Sequence, residues 1–234
     1  MTPRYTLHYA PDNASLIVRL ALYELGQPFR TRLIDRQAQG QRSPDYLALN
    51  PHGLIPVLET PQGPLFETAA ILLWLSETHG ALAPRPGDAD RGHFLKWLFF
   101  TSNTLHANMR MLFHPEQLIG PDRAHQRAQR DGLKVALKTH LQKLDTLAGD
   151  APPWLGGRAL SVLDLYLPVC LRWLALYPQG ETQWFSLSDT PALARLAARL
   201  EGRESAALAS AAEGLGPTPF TRPRAATPPE GTAT

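Results

Sequence analysis

The chain has 234 residues, 44% of them apolar, a formal net charge of +2 and one cysteine, Cys170. That length holds one large or two small domains with a full core, and the balanced charge, with no dense run of Lys and Arg, argues against nucleic acid as a partner. A single thiol excludes an intrachain disulfide and a multi-cysteine metal site, no apolar run approaches a membrane span, and no apolar segment follows Arg4 as in a secretory signal, so a cytoplasmic protein with no membrane partner is expected.

In chain order, residues 5–9 alternate and read as a strand, and Pro11, Asp12 and Asn13 form a turn. Residues 15–25 place Leu16, Leu20 and Tyr23 at helical spacing and stop at Gly26. Residues 29–34 read as a second strand, which makes a right-handed parallel strand–helix–strand unit. A polar loop over 36–43 and a short helix over 44–49 follow. Asn50, Pro51, His52 and Gly53 make a turn, Ile55 to Leu58 a strand start, Pro61, Gln62 and Gly63 a hairpin loop, and Leu65 and Phe66 the returning strand. Glu67 and Thr68 open an apolar helix over 69–78. The sum is a βαβ-α-ββα module, a thioredoxin-like α/β arrangement.

Beyond it the chain reads as all-helical. Expected boundaries are a first domain over 1–80, a linker over 81–88 rich in Pro and Gly, a helical domain over 89–204 and a disordered tail over 205–234, where from Gly214 the composition shifts to Pro, Thr, Ala and Gly. One long helix over 88–113 carries Phe94, Trp97, Leu98, Thr101, Leu105, Met109 and Leu112 as its core stripe, and a second over 121–148 carries Leu133, Leu137, Leu141 and Leu144. Ser161 and Asp164 form a capping box before an apolar helix that contains Pro168. Thr190 and Pro191 start another helix.

The unusual feature is Pro56, since a proline heading a buried strand cannot donate to the ladder. It fits if the Ile55–Pro56 bond is cis, leaving the N–H and C=O of Ile55 free for a ligand. Glu67 and Thr68 sit where a strand feeds a helix N-terminus, a ready anion site. A free backbone edge beside an anion pocket suits a small charged peptide.

Gly53-x-Ile55-Pro56-x-Leu58 followed by Glu67-Thr68-x-Ala70-Ile71 resembles the glutathione site of the glutathione S-transferase superfamily, and the Ser161–Asp164 box matches its helical-domain cap. The resemblance implies glutathione as cosubstrate and a homodimer. It implies backbone pairing at Ile55 before cis Pro56, and the γ-glutamyl end at Glu67 and Thr68. The Tyr9–Leu16 stretch is most similar to the bacterial beta-like branch, whose cysteine falls on Ala14 here; serine-type branches place their hydroxyl at Asp12. The donors left for a thiolate are Ser15 and Asn13, then Tyr9, each with a plainer reading as helix start, turn residue or packing group. Leu54 stands where the family often has a lysine, so Arg36 and His52 are the substitutes for holding the glycyl carboxylate. Ser102, His106 and Arg110 recur at i, i+4, i+8 and make a polar line facing either the cleft or solvent; His106 matches the branch's active-site histidine, with Thr104 in place of the glutamate beside it. The remaining histidines show no ligand spacing, so no metal is expected, and Cys170 reads as core. The implied activity is thiolate attack on a small electrophile; the alternative is a glutathione-binding or scaffold protein of the same fold.

Overall fold

The computed structural model describes residues 3–233; Met1, Thr2 and Thr234, which the expected first domain and tail include, lie outside the described residues. Strands β1 (Tyr5–Tyr9), β2 (Phe29–Leu33), β3 (Val57–Thr60) and β4 (Gly63–Phe66) form one sheet in the order β2-β1-β3-β4. β1 runs parallel to β2, with Tyr5 opposite Phe29, and antiparallel to β3, with Leu7 opposite Leu58. The βαβ crossover forces the first relation, and the tight hairpin makes β3 and β4 antiparallel, with Leu58 opposite Leu65. Gly63 takes φ +117 in that hairpin, and its carbonyl accepts the Thr60 hydroxyl at 2.8 Å. Helices α1 (Ser15–Glu24) and α3 (Thr68–His79) cover one face of the sheet through Leu16, Leu20, Ile71 and Leu75, all buried. Helix α2 (Pro44–Leu49) covers the other through Tyr46, beside Ile34 and Val57.

The helical part begins with α4 (Arg91–Phe100) and α5 (Ala107–Phe113). Between them lies a six-residue π-helix, Thr101–His106, where an unbroken α-helix is expected. A π-turn widens the spiral, and such turns gather at functional sites. After a short α6 (Glu116–Ile119), α7 (Arg123–Gly149) starts on the Asp122 carboxylate, which accepts the Ala124 and His125 N–H groups at 2.8 and 3.0 Å. Its Leu137, Leu141 and Leu144 are buried, as the stripe predicts.

Helix α8 (Val162–Leu176) is the centre of the molecule, with every residue from Val162 to Leu174 buried. A helix apolar nearly all round must lie in the core. Its capping box forms: the Ser161 hydroxyl accepts the Leu163 N–H at 3.1 Å, and Asp164 accepts the Ser161 N–H at 2.7 Å. Asp164 also accepts the Gly156 N–H, yet burial outweighs these bonds and raises its carboxyl above the usual range. Cys170 is buried in this helix, and burial pushes its thiol up. Helices α9 (Pro191–Glu201) and α10 (Glu204–Glu213) complete the layer. No helix among the described residues is long and apolar enough to cross a membrane.

The expectation of a disordered tail over 205–234 is corrected. Its first part is α10, which packs on α1. Past Gly214 the chain has little regular structure but is anchored: Leu215 and Phe220 are buried, and the carbonyls of Pro219 and Arg224 each accept a bond of 3.0 Å from the Arg172 guanidinium. A residue's composition class says nothing of partners that distant. Glu213, wholly buried, ties α10 to the first strand's exit by accepting Arg19 Nε at 2.7 Å and the Asp12 N–H at 2.8 Å. Burial pushes its carboxyl up to about 7, against the pull of Arg19.

Candidate active site

The turn before β3 is built so that one residue's backbone stays unused. Gly53 has φ +63, and a Cβ there would meet the Gln41 carbonyl at 2.8 Å, so the turn requires glycine. The Leu54 carbonyl accepts both the Tyr46 hydroxyl and the Asn50 amide at 2.8 Å. With Leu54 pinned and the Ile55–Pro56 bond cis, the N–H and C=O of Ile55 have no partner among the described residues. Directly across stands Glu67 at φ +70 and ψ 113, an unfavourable region for a residue with a Cβ. It precedes the first turn of α3, where buried Thr68 and its neighbours present N–H groups without helical acceptors. Ile55, Pro56, Glu67 and Thr68 line one cleft of about 830 Å³ between the sheet-bearing and helical parts.

The turn after β1 separates the three expected sulfur donors. Asn13 lines the cleft, and its Oδ1 accepts the Ala14 N–H at 2.8 Å, which leaves the amide NH2 as its free end. Ser15 does not reach the cleft: its hydroxyl is fully buried, donates to the Ala10 carbonyl at 3.1 Å and accepts the Ala10 N–H at 3.3 Å. This side chain staples the turn, and its one O–H donor is spent. Tyr9 is also withdrawn, buried under the Arg19 guanidinium at 4.5 Å with its hydroxyl on Glu230, and burial raises its phenol. Both hydroxyls thus have partners within the protein, and of the three expected donors Asn13 is the one that lines the cleft.

Asp12, which would repel a nearby thiolate if it faced one, is turned into the helical part. At φ +53 its carboxylate receives Nε and Nη2 of Arg172, both at 2.8 Å, together with the Trp173 indole at 3.1 Å and the Tyr177 hydroxyl at 3.0 Å. Arg172 and Asp12 are both fully buried in their side chains. Trp173 and Tyr177 therefore reach the cleft wall already oriented by Asp12.

On the helical side, Ser102, His106 and Arg110 all line the cleft, the first two from the π-turn and the third from α5. His106 Nδ1 meets the Tyr166 hydroxyl at 2.7 Å, and its ring lies 5.2 Å from that of Trp173. Burial, reinforced by Arg110, pushes His106 down to about 4. The folded chain then binds fewer protons at this ring than the unfolded chain between about pH 4 and 6.5, so stability present above 6.5 is lost as pH falls through that window. Glu213 works with the opposite sign over its own window. The expected result is that His106→Gln flattens the acid side of a plot of urea midpoint against pH; an unchanged acid limb would show that the ring does not titrate this way.

Of the two expected carboxylate holders, Arg36 lines the cleft, partly buried, with no ion-pair partner among the described residues. Burial lowers its guanidinium. His52 does not line it. That ring is exposed and packs edge-on against Phe66 at 5.8 Å. Arg42 and Gln41 occupy the cleft margin instead. Sequence reasoning missed these, and it missed Tyr166, Trp173 and Tyr177. The one available signal was that α8 carries aromatic and charged residues inside an otherwise aliphatic helix.

A protein-family model for the glutathione S-transferase N-terminal domain matches residues 14–78. A glutathione S-transferase of Xanthomonas campestris is 33% identical over 171 residues, covering 71% of this chain and 81% of that one. The chain belongs to the glutathione S-transferase family. The structure of a beta-class family member from Sphingomonas chungbukensis superposes with a TM-score of 0.73 at 30% identity, over 90% of this chain and 100% of that one. A sphingomonad glutathione S-transferase complexed with glutathione gives the same TM-score, identity and coverage. A probable elongation factor 1-gamma of Arabidopsis thaliana is 29% identical over 158 residues, covering 64% of this chain and 38% of that one. The bacterial beta-class likeness holds, while the family member described here carries Ala14 where that branch has its cysteine, and its only thiol, Cys170, is buried.

Proposed function

We propose that this family member is a glutathione transferase that binds glutathione along the cleft and delivers its thiolate to a small electrophile. The observation that carries the reading is the unpaired backbone of Ile55 beside the open first turn of α3. The cysteinyl backbone would pair with Ile55, the γ-glutamyl ammonium would meet Glu67, and its carboxylate the Thr68 N–H and hydroxyl. The glycyl carboxylate falls to Arg36 with Arg42. The sulfur would then lie at the Asn13 turn, near the N-terminus of α1, whose dipole favours a thiolate. We rank Asn13 as the sulfur donor, because its NH2 is free while the Ser15 and Tyr9 hydroxyls are engaged. Holding thiolate and electrophile together supplies orientation and electrostatic stabilisation; the chemistry is the cosubstrate's own. The family's homodimer and a cytoplasmic setting belong to the same proposal.

A second reading keeps the cleft for binding alone, as a scaffold. Ala14 and the buried Asp12 favour it, since neither position offers a donor to sulfur. Ultraviolet titration of the bound thiolate separates the two. Transferase activity requires a bound thiol pKa below the free value of about 8.5. Asn13→Ala should raise that value and lower kcat, with little change in the KM for glutathione. Tight binding with an unshifted thiol would establish the scaffold instead.

A further inference from the structure

We infer that the electrophile carries a carboxylate, and that Arg110 receives it. The inference rests on the transferase reading and adds the chemistry of its acceptor.

The argument is a balance of charge. Two carboxylates line the cleft among the described residues, Asp12 and Glu67, and Asp12 is neutralised by Arg172 at 2.8 Å. Against Glu67 stand the guanidinium groups of Arg36, Arg42 and Arg110. Glutathione as its thiolate brings one ammonium for Glu67, one carboxylate for the α3 N-terminus, and a second carboxylate for Arg36 and Arg42. Its sulfur lies at Asn13. Arg110 is left over.

Its position gives it a different task. It projects from α5 in the helical part, one turn beyond His106, whereas Ile55, Glu67 and Thr68 belong to the sheet-bearing part. Arg130 on neighbouring α7 is paired, with Glu181 at 3.1 Å and the Leu112 carbonyl at 3.2 Å. Arg110 has no such partner among the described residues. His114 reports the surplus field: burial lowers its imidazole, and Arg36, Arg110 and Arg130 lower it further, against Glu116, whose carboxylate lies 3.7 Å away. The same cleft is lined by the aromatic rings of Phe113, Trp173 and Tyr177, the first and last packed edge-on with centroids 6.2 Å apart. Aromatic rings favour an aromatic body by stacked or edge-on contact, while the planar guanidinium matches a carboxylate in two parallel bonds.

The test uses an activated chlorobenzoate, with nitro groups flanking the chlorine, and its methyl ester. In either, the thiolate forms a C–S bond at the chlorine-bearing carbon, chloride leaves with the bonding pair, and the thiol proton goes to solvent. The wild-type chain should prefer the acid over the ester in kcat/KM, and Arg110→Gln should reduce that preference about tenfold or more. Added salt should shrink it too, since Arg110 is exposed. The two glutathione conjugates, titrated by calorimetry, give the same comparison without turnover. An acid-to-ester ratio that Arg110→Gln leaves unchanged, in rate and in affinity, overturns the inference. Absence of glutathione binding removes both this and the transferase reading, whereas binding without acid preference removes this one alone.

Discussion

Replacing Glu67 with alanine is expected to weaken glutathione binding by about 10- to 100-fold, enough to lose retention on a glutathione matrix. The carboxylate is exposed, does not ion-pair with another described residue, and stands at the head of α3. A charged hydrogen bond to the ligand's ammonium is what it offers. Its backbone, at φ +70, is held where a Cβ is unwelcome. Glu67→Gly should therefore raise stability by up to about 1 kcal/mol while losing binding as fully as alanine does. That opposed pair of results would separate a functional residue from a structural one. Calorimetry showing wild-type affinity in Glu67→Ala would remove the proposed peptide pose.

Arg172→Met is the change with the largest expected effect on stability, about 3–5 kcal/mol. It strands the buried Asp12 carboxylate and releases the Pro219 and Arg224 carbonyls together. The damage should spread to the site, because Asp12 belongs to the turn that presents Asn13 and also orients Trp173 and Tyr177. Urea denaturation gives the first effect and the KM for the electrophile the second. Combining Arg172→Met with Asp12→Ala should recover part of the loss, since the uncompensated charge is gone. A loss below about 1 kcal/mol in the single variant would show that the pair is not what anchors the tail.

The reading of local motifs agrees closely with the structure. Gly53, Pro56, Glu67 and Ser161 act within a few residues of themselves: a turn that needs positive φ, an imide that cannot donate, a strand-to-helix junction, a cap. Adjacent residues carry the whole physical cause, so spacing is enough to find them. The long-helix stripe was equally legible, apart from the π-turn at Thr101–His106, which apolar periodicity does not reveal.

What the linear order could not supply is the choice among chemically equivalent side chains. Ser15, Asn13 and Tyr9 each own a suitable donor; only the fold spends the first on Ala10 and the third on Glu230. Asp12 looked hostile to a thiolate until Arg172, 160 positions away, turned it aside. The tail looked unstructured because proline and glycine build no helix or strand, yet Arg172 and Glu201 supply the bonds its own residues lack. Residue type and near neighbours determine backbone conformation, and those were readable. Which polar group remains free to meet a ligand depends on which others have been consumed, and that is decided by partners that only folding brings within 3 Å.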